Sequence, residues 1–87
     1  MKEINKAIEM ISVSSKDGSI KPIRFRLATE NEEMQVIKIK KIHQMDQIKI
    51  GNNLARKFTC TIVLNERERV CEITYTLVNQ MWHLFKL

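Results

Sequence analysis

Two runs of strict alternation toward the C-terminal end constrain this chain more than any other feature. Phe58, Cys60, Ile62 and Leu64 share one side of a segment whose other side reads Lys57, Thr59 and Thr61. Cys71, Ile73, Tyr75 and Leu77 repeat the pattern against Glu72, Thr74 and Thr76. A period of two is that of a β-strand with one buried face. Threonine on the outer positions suits a pleated, half-solvated surface. The intervening Asn65–Glu68 is a polar turn too short for a crossover, so the two strands are antiparallel neighbours. Val78-Asn79-Gln80 supplies another short turn, and Met81 to Leu87 forms a last strand. The C-terminal half is therefore a meander.

Upstream the same period continues less cleanly. Ile23, Phe25 and Leu27 alternate with Arg24 and Arg26, and Thr29 to Glu33 reads as a turn. Met34 to Ile42 is a second strand, with Ile37 and Ile39 on one face. Residues 43 to 53 carry loop residues (Gln44, Asp46, Gly51, Asn52, Asn53), while Ile48 and Ile50 suit a short added strand. At the N-terminus, Ile4, Ala7, Ile8 and Ile11 fit the helix spacing i, i+3, i+4, i+7. Ile11-Ser12-Val13 alternates instead, and Asp17-Gly18 is a favoured hairpin turn. The reading that accommodates both is a short helix near 2 to 9, then a strand near 10 to 15 pairing with 19 to 27. Pro22 has no N–H to donate, which places it at an edge or a bulge of that hairpin.

Eighty-seven residues make one domain, 1–87, in which roughly 60% of the unfolded chain's surface is buried. There is room for one thin core and no deep catalytic cavity. Sequence thus predicts a mainly β fold: an antiparallel meander of five or six strands, as a curled sheet or small barrel, with a short N-terminal helix as a plug or lid. Hydrophobic content of 44% and charged content of 29% are ordinary globular values and argue against disorder. No apolar run approaches the ~20 residues of a membrane-spanning helix. Met1-Lys2-Glu3-Ile4-Asn5-Lys6 has no apolar stretch behind its charges, so a cytoplasmic protein with no membrane partner is expected. Two cysteines are too few for a disulfide framework, and both are read as reduced thiols.

Charge is unevenly placed. Between residues 21 and 57 lie nine basic residues (Lys21, Arg24, Arg26, Lys38, Lys40, Lys41, Lys49, Arg56, Lys57) against four acids (Glu30, Glu32, Glu33, Asp46), a balance of +5. The other fifty residues carry six of each sign, so the whole net charge of +5 sits in the middle of the chain. If Phe25 and Ile37 are cross-strand partners on the core face, Arg24 stands opposite Lys38. Like charges so placed cost something like ~0.2–1 kcal/mol. A bound anion would relieve that cost. Arg24, Arg26, Lys38, Lys40 and Lys41 are accordingly the candidate contacts to nucleic-acid phosphates, without base readout. Two facts stand against this. Lysine on strands also discourages edge-to-edge aggregation, and the aromatics Phe25, Phe58 and Tyr75 fall on the core face rather than among the basic residues as stacking platforms.

The last strand has two apolar faces, Trp82 and Leu84 on one and Met81, Phe85 and Leu87 with His83 on the other. It is either buried on both sides or offers one face to a partner. Trp82 and His83 therefore mark a candidate interaction surface, and a homodimer or protein partner held through this strand or a free sheet edge is the alternative function. Cys60 and Cys71 share a face of adjacent strands and, with His43 and His83, form a two-Cys, two-His inventory. The ten residues between the cysteines, with no CxxC knuckle, are unlike a structural zinc site, so core packing and no metal are expected. No glycine-rich loop, GxSxG, HExxH or paired-carboxylate arrangement occurs, so neither a cofactor nor an enzymatic activity is expected.

Lys21-Pro22-Ile23-Arg24-Phe25-Arg26, Gln35-Val36-Ile37-Lys38-Ile39, Phe58-Thr59-Cys60 and the closing Trp82-His83-Leu84-Phe85-Lys86 together resemble a set of short β-rich bacterial proteins without an assigned function. The resemblance covers most of residues 17 to 87 and implies a β-rich fold and no particular activity. Trp82-x-Leu84 is also similar to the WYL-type ligand-sensing domain, itself a small barrel, with His83 here at the middle position.

Overall fold

Six antiparallel strands form in the computed structural model, which describes Met1–Leu87: β1 (Glu3–Ser14), β2 (Ile20–Ala28), β3 (Met34–Ile50), β4 (Asn53–Leu64), β5 (Arg67–Thr76) and β6 (Met81–Lys86). Each pairs with the next, and β1 pairs with β6, so the meander closes into a barrel. The predicted small β-barrel is therefore the fold.

Two strands do double duty. The first half of β1 pairs with β6, from Glu3↔Lys86 to Ile8↔Trp82, and its second half pairs with β2, from Glu9↔Arg26 to Ser14↔Ile20. Likewise β3 pairs with β2 only from Met34 to Lys38, then with β4 from Ile39 to Ile50. The barrel is thus a three-stranded sheet (β1–β2–β3) and a five-stranded sheet (β3–β4–β5–β6–β1) sharing β1 and β3 at their corners. Strands that switch sheets need bends or bulges. These have them: Lys40 and His43 are extra residues in β3, and β1 slips register between Glu3 and Lys6 and again between Ile11 and Ser12.

The bulges account for the two places where sequence misleads. Each inserts one residue, so inward positions in β3 fall at Ile37, Ile39 and Ile42, and the spacing of two becomes three. Residues 43 to 53 then read as loop, although the strand runs unbroken to Ile50. The expected helix over 2 to 9 is corrected in the same way. Residues 3 to 9 belong to β1, where a bulge between Glu3 and Lys6, with Asn5 at a positive φ of 41°, breaks the alternation. Past it Ala7 and Ile11 face outward and Ile8 inward, so the apolar residues lie on both faces of a strand. Pro22 does sit at a bulge, buried, beside the unpaired Ile23.

Turn chemistry sets the hairpins. Asn65 and Glu66 both take positive φ (51° and 65°), the signature of a two-residue type I′ turn. Gly51, at φ +62°, opens the two-residue turn that joins Ile50 to Asn53. In the first hairpin, Gly18 takes φ +88°, and Asp17 Oδ1 accepts bonds from Ser19 N (2.9 Å) and Ser19 Oγ (2.7 Å). Those bonds hold the Asp17 carboxyl below its usual pKa.

The core is built mostly by the five-stranded sheet. Phe58, Cys60, Ile62, Cys71, Ile73, Trp82 and Leu84 pack against Phe25 and Ile37 from the other sheet. Trp82 lies between Phe58 and Tyr75, with ring centroids 5.7 and 4.7 Å away. Cys60 and Cys71 are direct cross-strand partners, both free and fully buried, and burial pushes each thiol pKa up to about 12.

Candidate nucleic-acid interface

The outer face of the three-stranded sheet carries the basic residues. Phe25↔Ile37 is the core pair, so its neighbours Arg24 and Lys38 face each other on the outside, with Ile11 of β1 on the far side of Arg24. Neither Arg24 nor Lys38 makes an ion pair. Ile11 (54% exposed) and Val36 (57% exposed) flank them, so the surroundings are aliphatic and open. Glu9, Ile11, Arg24, Arg26 and Val36 contribute to a shallow groove of about 450 Å³ on this face.

The other three predicted contacts fare differently. Arg26 is ion-paired with Glu9 across β1–β2, its Nε donating at 2.9 Å. Lys40 Nζ donates to Glu68 at 2.7 Å. All four of these side chains are more than half exposed, so each pair contributes only ~0–1 kcal/mol and yields readily to a competing phosphate. Lys41 makes no ion pair; it stands opposite Thr61 just past the first bulge of β3.

A second opening adjoins the Arg24–Lys38 pair. Beyond it β2 and β3 part, leaving a cleft of about 380 Å³ lined by Lys21, Pro22 and Ile23 on one side and Ile39, Lys40, Lys41 and Ile42 on the other. Lys21 was not among the predicted contacts, although it lies in the same basic segment. Arg24, Lys38, Lys21 and Lys41 thus line one continuous stretch of β2 and β3 with no acid paired to any of them.

Sequence also missed Arg67 and Arg69. The run Glu66-Arg67-Glu68-Arg69 sums to zero, but a strand separates alternate residues onto opposite faces. Glu68 meets Lys40 outside, while Arg67 and Arg69 stand opposite Leu64 and Ile62, beside a hollow of about 420 Å³ at the barrel's end. The signal was the alternation, hidden by adding charges along the chain.

Trp82 is not a surface. It is 8% exposed inside the barrel, and β6 has a paired neighbour on each edge, so of the two readings of the last strand Trp82 takes the buried one and is no part of an exposed face. His83 is half-buried opposite Thr74 on the outer side. His43 is hydrogen-bonded through Nε2 to Thr61 Oγ1 at 2.6 Å. The histidines bond or pair on the outer face while the cysteines sit inside, so the four do not converge.

Compared with protein-family models, curated proteins and solved structures, the chain matches none. No helix is long and apolar enough to cross a membrane.

Proposed function

We propose that the chain binds nucleic acid through the outer face of its three-stranded sheet, by contacts to phosphates and without base specificity. One observation carries this reading: Arg24 and Lys38 stand directly opposite each other in a paired ladder, and neither makes an ion pair. Protection of a sheet edge does not account for Arg24, because β2 is paired on both sides at that position. An arrangement that costs ~0.2–1 kcal/mol in the free protein is relieved when a phosphate lies between the two cations. Lys21 and Lys41 extend the track, and Arg26 and Lys40 join it when their exposed ion pairs exchange acid for phosphate.

The reading is tested by fluorescence anisotropy with labelled DNA and RNA oligonucleotides across a salt series. With about four phosphates engaged, raising salt from about 50 to about 200 mM lowers affinity for a single strand roughly 50-fold. Charge reversal at both positions (Arg24→Glu with Lys38→Glu) removes the binding, while Lys86→Glu on β6, in the other sheet, leaves it intact. Binding that ignores both salt and the paired reversal overturns the reading.

A further inference from the structure

We infer that the cleft where β2 and β3 part holds an unpaired nucleotide, so that the preferred ligand is single-stranded nucleic acid; this rests on the reading above and sharpens it. Pairing between the two strands stops at Arg24↔Lys38. From there Ile23 is unpaired, Ile20–Pro22 pair only with β1, and β3 from Ile39 to Ile50 pairs only with β4. One edge of β3 is therefore free over this stretch, and no backbone bond outside the ladders reaches it. Ile23, Ile39 and Ile42, with Lys21, Lys40 and Lys41, line about 380 Å³ beside this unpaired edge, Lys40 being held by Glu68. That volume lies within the usual small-molecule range of roughly 300–1,000 Å³.

These groups match the parts of one nucleotide: a phosphate for the lysines, an apolar base face for the isoleucines, a polar base edge for the strand's free backbone. A duplex offers the phosphate but keeps its base faces stacked and its Watson–Crick edges paired, leaving only groove edges that a cleft of this size does not enter. An acidic peptide could meet the lysines and add to the edge as a strand, but the bulges at Lys40 and His43 break the even spacing such a strand must follow. No aromatic residue lines the cleft, so a base is held by aliphatic contact and hydrogen bonds rather than stacking, and the preference is modest.

The test compares a labelled 12-mer oligothymidylate with a 12-base-pair duplex, at one salt concentration, on the wild type and on Ile23→Ser. Ile23 is a partly exposed bulge residue, and circular dichroism checks that the variant keeps its fold. Charge alone favours the duplex, whose phosphates are denser. We expect the opposite order, the single strand bound roughly tenfold more tightly, with Ile23→Ser cutting that preference to near parity while leaving duplex affinity unchanged. Equal or tighter duplex binding that Arg24→Glu still weakens overturns the cleft assignment and spares the reading above; no binding of either oligonucleotide overturns both. A 12-residue polyglutamate that displaces the oligothymidylate at equal concentration assigns the cleft to an acidic peptide and also overturns the inference.

Discussion

The two sheets of this barrel divide its labour. The five-stranded sheet supplies Phe58, Cys60, Ile62, Cys71, Ile73, Trp82 and Leu84 to the core, and its β4–β5 ladder runs without a register slip. The three-stranded sheet adds Phe25, Ile37 and Pro22, bears the unpaired Arg24 and Lys38, and parts from its neighbour at one corner. One sheet holds the structure while the other is free to carry charges that do not help it fold. Where apolar burial is large, a like-charge pair worth under ~1 kcal/mol is tolerable.

The largest effect should separate the two regions outright. Trp82→Ala empties the centre of the core and should cost about 3–5 kcal/mol in urea unfolding, whereas Arg24→Glu with Lys38→Glu should shift stability by less than about 1 kcal/mol while abolishing nucleic-acid binding. Comparable losses from both changes would erase the division.

A smaller effect comes from the thiols of the five-stranded sheet. Their folded pKa values are raised to about 12, above the unfolded value near 8.5, so the native state holds those protons more tightly. The stabilisation is complete below pH ~8.5 and is lost as pH climbs toward 12. The expected slope is about −1.4 kcal/mol per pH unit for each thiol across that window. Urea midpoints at pH 8, 9.5 and 10.5 should therefore fall more steeply for the wild type than for Cys60→Ala with Cys71→Ala. Native alkylation of either cysteine at neutral pH would show the core to be open.

The smallest effect sharpens the account of the β4–β5 hairpin. Glu66 holds φ +65°, which glycine adopts without penalty. Glu66→Gly should stabilise by roughly 1 kcal/mol, read as a higher urea midpoint with an unchanged m-value.

The same division explains what was legible in the sequence. The pairing of β4 with β5 was legible because no bulge interrupts it. Even so, Thr74 and Thr76, read as half-solvated, are buried, Leu77 lies exposed beyond β5, and the turn is Asn65-Glu66 rather than Asn65–Glu68. The Arg24–Lys38 opposition was legible too, since Phe25 and Ile37 alternate in phase. Where β1 and β3 change sheets, the inserted residues shift the phase, and a local pattern cannot reveal a bend whose cause is a strand distant in the chain. The candidate site split along the same line. Its strand-borne charges were visible, while the cleft was not, because it exists only where two strands stop pairing. The place of Trp82 was left open between core and surface, because an apolar last strand reads alike whether it is exposed or locked between β1 and β5.

The seam between β1 and β6 joins residues some eighty positions apart, with Lys2 N donating to Leu87 O at 2.8 Å and Leu87 N to Lys2 O at 2.9 Å. Every other neighbour in the barrel is consecutive in the chain. Five hairpins can therefore zip locally and early, but the ring shuts only by a contact with the largest loop entropy in the molecule. Until it does, the edges of the first and last strands stand open together. The interval before closure is when a crowded solution threatens this protein most.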